Sequence, residues 1–412
     1  MPPSNKTAHR LIEAFGVTDN CLLIGGKPVS ELSKLAGGTP FYAYDSALIR
    51  RRIVELRAAM PAGLGVKYAI KANPAPVLVH DIAMQVDGLD CASAKEMQLA
   101  LASGIATDRI SFAGPGKGEG ELASAIDSQI VIVAESTAEL QRIAAIASAK
   151  HQRARVMLRI NPGYALRSGG MKMGGEASQF GIDEEQVFAL LPSLPNYGFE
   201  FLGFHVFAGS QILDQKTLEL AHAEALQLAK RLANAAPWPI ARFNLGGGFG
   251  IPYYEDQQPF ELASLGRAMS EQIALHAANP PAAHYEIELG RYICGEAGVY
   301  VCKVIDRKVS RGETFLVTDG GMHHHLAASG NLGGVFRRNY PVAVGNRVHG
   351  DTMETVTITG RLCTPLDVLA RKVALPKCEP GDLILIFQSG AYGASASPSA
   401  FLGHPPPGEL YL

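Results

Sequence analysis

The chain has 412 residues, room for an α/β barrel of about 250 residues and a second domain. Apolar residues are 47% and charged residues 18%, which supplies a large core and excludes wholesale disorder. Lys and Arg number 37 against 39 Asp and Glu; a net charge of −2 implies no basic face, which argues against nucleic acid as the main partner.

Residues 1–38 form the first region, where LLIGGKPVS sets apolar residues around a Gly-Gly turn, the pattern of a strand or hairpin. The texture changes over 39–290. ALIRRRIVELRAAM places Leu48, Ile49, Ile53, Leu56 and Met60 on one helical face. Eight short apolar runs then alternate with helical stretches: VKYAI (66–70), VDGLD (86–90), RISFA (109–113), IVIVA (130–134), RVMLRI (155–160), FLGFHVF (201–207), RFNLG (242–246) and YEIEL (285–289). Most are too apolar for a strand with one wet face, and their spacing suits crossover helices. The pattern predicts an α/β fold, a (β/α)8 TIM barrel. From 291 to 412, VYVCKVIDRKVS, TFLVTD, ETVTITG and DLILIF predict a C-terminal mostly-β domain that the N-terminal strand joins.

Active residues of such barrels gather where the strands end. Here those ends read Ile70-Lys71-Ala72-Asn73, Asp90-Cys91-Ala92-Ser93, Arg159-Ile160-Asn161-Pro162, His205 followed by Gly209-Ser210-Gln211, then Gly246-Gly247-Gly248-Phe249-Gly250, and Glu288-Leu289-Gly290-Arg291. The loops after strands seven and eight often bind phosphate. Glycines admit backbone N–H groups close to an anion, and Arg291 adds a charged fork; taken alone, GGGFG equally suits tight turns. Lys71 ends an apolar strand, where a lysine becomes a nucleophile toward carbonyls, although a surface lysine with a buried stem has the same sequence context. A phosphate site beside a nucleophilic lysine suggests pyridoxal 5'-phosphate, with Glu288 as partner of its pyridine nitrogen and His205 against the ring face. Asp90 and Arg159 suit either the orientation of these neighbours or structural ion pairs.

YAIKAN, LDCAS, HVFAGSQ, NLGGGFG, ELGR, the late cysteine of LCTPLD and the terminal GAYG resemble the fold-type III PLP-dependent decarboxylases, the diaminopimelate, ornithine and arginine decarboxylase family, from about Thr39 to Leu412. The resemblance implies an alanine-racemase-like barrel with a β domain. It makes Lys71 the Schiff-base lysine, stacks His205 on the ring, and pairs Glu288 with the nitrogen. It also gathers Ser210, Gly246, Gly247, Gly248, Gly290, Arg291 and Tyr392 at the phosphate. Cys363 would arrive from the second subunit of a homodimer to protonate the carbanion left by CO2. Arg337 or Arg338, with Tyr340, resembles the pair that reads a distal carboxylate. The activity implied is α-decarboxylation of a diaminopimelate-, ornithine- or lysine-like amino acid, or of an aminoacyl group on a carrier protein, releasing CO2 and an amine.

Two departures stand out. The family usually has an acidic residue after the late cysteine, to read a distal ammonium; here it is Thr364, with Asp367 the nearest carboxylate. Two extra residues separate His205 from Ser210. TDGGMHHHLAASGN, RRNYPV, LCTPLD and FQSGAYGASASPSAFLGHPPP are most similar to the decarboxylase branch associated with the exosortase A system. A racemase on the same fold, a PLP carrier and a non-catalytic PLP-binding regulator are the alternatives. Cys363 in place of a tyrosine base, the β domain and the retained Lys71, Glu288 and Arg291 favour decarboxylation over them.

Other features read plainly. The six cysteines are scattered without a CxxC pair, as expected of reduced thiols in a cytoplasm. No apolar run is long enough for a membrane span, and MPPSNKTAHR lacks the apolar core of a secretory leader. Consecutive His323, His324 and His325 point to alternate faces on a strand, so no metal is expected. FAGPGK (112–117) and Met171 to Gly175 read as rim loops.

Overall fold

Each of the eight apolar runs forms a strand, within two residues of its expected ends. The strands are β1 (Gly65–Ala69), β2 (Gly88–Cys91), β3 (Ile110–Phe112), β4 (Val131–Ala134), β5 (Arg155–Asn161), β6 (Glu200–Val206), β7 (Arg242–Gly247) and β8 (His284–Leu289). The computed structural model describes residues 6–164, 171–172, 175–254, 256–277, 283–332, 338–350 and 352–412. All eight strands pair in parallel, and β8 closes on β1 with Glu288 opposite Lys67. An extra strand, Ile182–Asp183, pairs with the end of β5.

The intervening helices start where the sequence offers caps. Ser93 accepts the N–H of Glu96, Ser136 that of Glu139, and Asp214 that of Thr217, each satisfying an otherwise orphaned donor. Helix Gln215–Ala235 buries Leu218, Ala221, Ala225, Leu228 and Leu232, the spacing of an amphipathic helix on a sheet. Inside the barrel, Ala113, Val131, Val133 and Met157 make a small apolar plug.

The chain divides into two compact units. The barrel unit comprises Arg51–Ile251 and Pro259–Ile293; the other comprises the described residues up to Arg50, Pro252–Gln258 and Cys294–Leu412. The first boundary therefore falls at Arg50, later than the 38/39 expected from texture. The reason is Phe41–Tyr44. This apolar run reads as part of the barrel, but it pairs antiparallel with Gly298–Ser310 and parallel with Gly408–Tyr411.

The second unit carries the expected mostly β sheet. Its order runs Val342–Val344, Leu383–Ile386, Gly298–Ser310, Glu313–Thr318, Met353–Thr359, Val368–Pro376. The N-terminal hairpin, Cys21–Ile24 with Lys27–Pro28, turns through Gly25 and Gly26 at φ +57° and +74°, as a two-residue turn with both φ positive requires. Leu22, Ile24, Val29 and Leu32 pack there with Phe41, Val299, Val301, Leu385 and Phe387.

Candidate active site

Lys71 sits on a short turn, Ile70–Ala72, directly after β1. Its neighbours Ile70 and Ala72 are buried, whereas its own side chain is 43% exposed and reaches over the mouth of the barrel. Lys71 Nζ lies 3.7 Å from Glu288 Oε1 at the end of β8, and 5.7 Å from the Phe207 ring centre after β6. The ammonium thus faces a carboxylate and not the apolar floor expected from the sequence. Gly290 makes the approach possible: a Cβ there would stand 2.8 Å from that of Ala72.

Glu288 is buried and central. Its other oxygen lies 3.4 Å from His205 Nε2 on β6, and Asn244 on β7 donates to it at 3.5 Å. Burial alone would raise its pKa, but His205, Lys71 and Arg159 outweigh burial and hold the carboxyl ionised, well below the usual range. His205 is buried; its Nε2 faces Glu288 Oε2, and its Nδ1 has no hydrogen-bond partner among the described residues. Desolvation pushes its pKa down against the pull of Glu288, so the ring is neutral near pH 7. Asp90 on β2 goes the opposite way. Burial first, and then the charge of Glu288, push it up to about 8, while Ser111 donates to it at 2.8 Å. The mouth therefore holds one ionised and one protonated carboxyl, the separation that acid–base chemistry needs.

The loop after β7 is stapled to the loop after β6. Ile212 donates to Gly248 O at 2.9 Å, Gly250 to Ile212 O at 2.9 Å, and Gln211 brackets Ile251 through both its amide atoms. The three glycines permit this. A Cβ would stand 2.5 Å from Val206 O at Gly246, 2.0 Å from Glu288 O at Gly247 and 2.4 Å from Gly209 O at Gly248. Beside them Ser210 Oγ is buried and has no hydrogen-bond partner among the described residues. Met171–Lys172, within the expected rim loop, pairs antiparallel with Gly209–Ser210; residues 173–174 lie outside the described residues. Arg291 opens the turn that follows β8.

Arg159 on β5 is engaged as an ion pair, 3.1 Å from Glu135 Oε1, and it lies 4.7 Å over the Phe180 ring. Glu135 also accepts the N–H groups of Gly114 at 2.7 Å and Gly181 at 3.1 Å. Lys117 of FAGPGK is buried, bound to Gly114 O, Val133 O and Glu139, and so anchors its loop from below.

The remaining expected site residues belong to the second unit. Cys363 is exposed, alone among the six cysteines, on the loop after Met353–Thr359. Thr364 Oγ1 accepts the Leu366 N–H at 3.3 Å. Asp367 is buried, accepting Met322 N–H at 2.6 Å on Oδ1 and Leu362 N–H at 2.8 Å on Oδ2. Arg338 pairs with Asp256 and lies 4.0 Å over the Tyr254 ring; Tyr340 packs on Tyr253 at 4.7 Å. Arg337 lies outside the described residues. Tyr392 takes a left-handed conformation, φ +54°, a strained backbone for a bulky side chain. The three histidines find separate partners. His325 meets Ser389 Oγ at 2.8 Å, and His324 meets Tyr300 and Pro405 O. His323 stacks on His324 at 3.7 Å.

Lys67 and Glu286 were missed by the sequence reading. They form a buried ion pair of 3.1 Å in the barrel interior. The signal was present in Glu286-Ile287-Glu288, where charges two apart on a strand share a face.

Residues 46–295 match the family described as pyridoxal-dependent decarboxylase, pyridoxal binding domain. The chain is 38% identical over 378 residues to the L-glutamyl-[BtrI acyl-carrier protein] decarboxylase of Niallia circulans, covering 90% of this chain and 88% of that protein. It is 31% identical over 388 residues to the diaminopimelate decarboxylase of Bacillus methanolicus, covering 91% and 88%. Among solved structures, diaminopimelate decarboxylase from M. jannaschii superposes with a TM-score of 0.88 at 25% identity, over 98% of this chain and 93% of that one. The enzyme from Helicobacter pylori complexed with L-lysine gives 0.81 at 27%, over 93% and 94%.

Proposed function

The chain belongs to the pyridoxal-dependent decarboxylases, and from that premise we propose that its substrate is an aminoacyl group carried on an acyl carrier protein, with no free ammonium at its distal end. The barrel mouth fits pyridoxal phosphate: an amine beside an ionised carboxylate, a neutral buried imidazole, and, beside a tight glycine turn, a buried serine hydroxyl with no partner among the described residues. Bound there, the cofactor supplies a carbonyl for an amine and an electron sink as CO2 leaves. Lys71 would hold its carbonyl carbon. Glu288, kept ionised, would hold a proton on the pyridine nitrogen, and His205 offers a flat neutral face. Ser210, Gly246 to Gly248, Gly290 and Arg291 would hold the phosphate.

One observation carries the substrate reading. The residue after Cys363, Thr364, is neutral, and the carboxylate of Asp367 is buried with each oxygen bonded to a backbone N–H group. A distal ammonium left without a counter-charge in a closed site costs several kcal/mol. The relative from Niallia circulans, named for a glutamyl group on a carrier protein, supports the same class. Exposed Cys363, on a loop that also exposes Leu366, supports a homodimer in which each Cys363 serves the partner's barrel.

The test is CO2 release from carrier-bound aminoacyl thioesters compared with free diaminopimelate, ornithine and lysine. Turnover confined to the carrier-bound substrates is expected; turnover of a free diamino acid at equal or greater kcat/KM overturns the reading.

A further inference from the structure

We propose that Asp367 is a positioning residue that holds the Cys363 loop in its reacting shape; the inference rests on the reading of Cys363 as the proton donor. Within its own chain Cys363 is exposed, so packing inside that chain does not fix it. Its loop is fixed from beneath. Asp367, 2% exposed, presents each carboxylate oxygen to a different backbone N–H. Oδ1 takes Met322, on the turn after Glu313–Thr318, and Oδ2 takes Leu362, the residue before Cys363. The backbone of Asp367 closes the same loop, accepting from Gly360 at 3.1 Å and donating to Thr364 O at 3.3 Å.

Two glycines make room for the carboxylate. A Cβ would stand 2.4 Å from Oδ1 at Gly321 and 2.2 Å from Oδ2 at Gly360. The site is therefore built around an aspartate whose two oxygens both accept; burial pushes its pKa up, and the N–H groups of Met322 and Leu362 oppose that rise by stabilising the carboxylate. A carboxylate accepts on both oxygens, whereas an amide offers one acceptor and one donor, and a donor facing a buried N–H leaves that N–H unpaired. Neither position for the amide of Asn restores both bonds. The loop from Leu362 to Asp367 is thus tied to a second segment, Gly321-Met322, by one side chain.

The experiment uses the full-length, cofactor-loaded protein. Because Cys363 is the exposed cysteine and the other five are buried, iodoacetamide labelling read by mass spectrometry reports on its loop alone. In Asp367→Asn, amide exchange at Leu362 and Met322 should rise at least tenfold, and the labelling rate of Cys363 should change at least threefold. The five buried cysteines should stay unlabelled, which a general loosening would not allow. The share of decarboxylations in which the proton goes to the cofactor carbon, so that water releases aldehyde and pyridoxamine phosphate in place of amine and pyridoxal phosphate, should rise at least fivefold. If Asp367→Asn does not fold, Gly360→Ala displaces the carboxylate without removing it and should give the same selective pattern. Exchange and labelling within twofold of the wild type in the folded variant overturn the inference. Cys363→Ala separates the two ideas: unchanged amine-to-aldehyde partition there removes the proton-donor reading, while the labelling result still decides what Asp367 does.

Discussion

Lys67 Nζ lies 3.1 Å from Glu286 Oε2 in the interior of the barrel, and Glu286 stands two residues before Glu288 on β8. Barrel interiors are usually filled by branched apolar side chains. Here an ion pair occupies the layer beneath the catalytic mouth, and Gly88, opposite Lys67 on β2, gives it space: a Cβ there would stand 3.0 Å from Lys67 Cγ. Each charge is tolerable only because the other is present. Lys67→Met or Glu286→Met alone should therefore cost about 3–5 kcal/mol, whereas the two changes together should be close to neutral. Urea unfolding of the four species as a double-mutant cycle measures this, and additive losses would show the two side chains to be independent.

Asp90 predicts a pH effect of definite sign. Its carboxyl is raised to about 8 in the folded protein by burial and by Glu288, from an ordinary value of 3.8. The native state therefore keeps a proton that the unfolded chain releases. The stability contributed is present below the unfolded pKa and is lost as pH rises toward 8. Replacing Asp90 by Asn removes that dependence. Between pH 5 and 8 the difference in unfolding free energy, Asn variant minus wild type, should grow by up to about 1.4 kcal/mol per pH unit. The measurement belongs on the cofactor-free protein, whose surroundings are those described; a difference flat across this range would place Asp90 among ordinary ionised carboxylates.

Glu288 has the opposite task, to stay ionised while buried. Glu288→Gln keeps the shape and removes the charge that faces Lys71 and His205. Losing a preorganised charge of this kind lowers kcat by about 10²–10³-fold. Visible absorbance should show that the cofactor is still bound, separating a loss of chemistry from a loss of binding. Activity within threefold of the wild type would assign Glu288 a structural role only.

The barrel was legible in the sequence because parallel strands buried on both faces are written as unbroken apolar runs, and all eight appear where those runs do. Phe41–Tyr44 was misassigned for the same reason: FYAY carries no mark of which sheet it enters, and only its pairing with Gly298–Ser310 decides. Lys71, Glu288 and His205 could be found because they end strands. Arg159 could not be told from a ligand by position, since its partner Glu135 is 24 residues away in the chain. The role of Asp367 was hidden because its partners are backbone N–H groups, which leave no trace in residue identity.

The glycine turn after β7 gives a further test. Gly248 has φ +81°, and a Cβ there would stand 2.4 Å from Gly209 O, next to Ser210. Gly248→Ala meets both a disfavoured backbone and a clash, which costs about 1–3 kcal/mol. The strain falls on the staple between the β6 and β7 loops, so cofactor affinity should drop by roughly tenfold or more for that cost. Spectroscopic titration of the apoprotein with pyridoxal phosphate measures it; unchanged affinity would detach this turn from the phosphate.

Thr364 offers a gain of function, the more demanding test of the substrate reading. It follows Cys363, is half-buried, and its hydroxyl accepts the Leu366 N–H. Thr364→Asp puts a carboxylate within the same reach, and that carboxylate can still accept the Leu366 N–H. If this position faces the distal end of the substrate, a desolvated charge pair with a free diamino acid should lower its KM and raise kcat/KM at least tenfold, about 1.4 kcal/mol or more. The same charge should disfavour a neutral or acidic aminoacyl group on a carrier protein, so the ratio of the two kcat/KM values should move by more than either one. A variant that folds, binds cofactor and leaves that ratio unchanged would place position 364 away from the distal group, and the neutral threonine would then say nothing about the substrate.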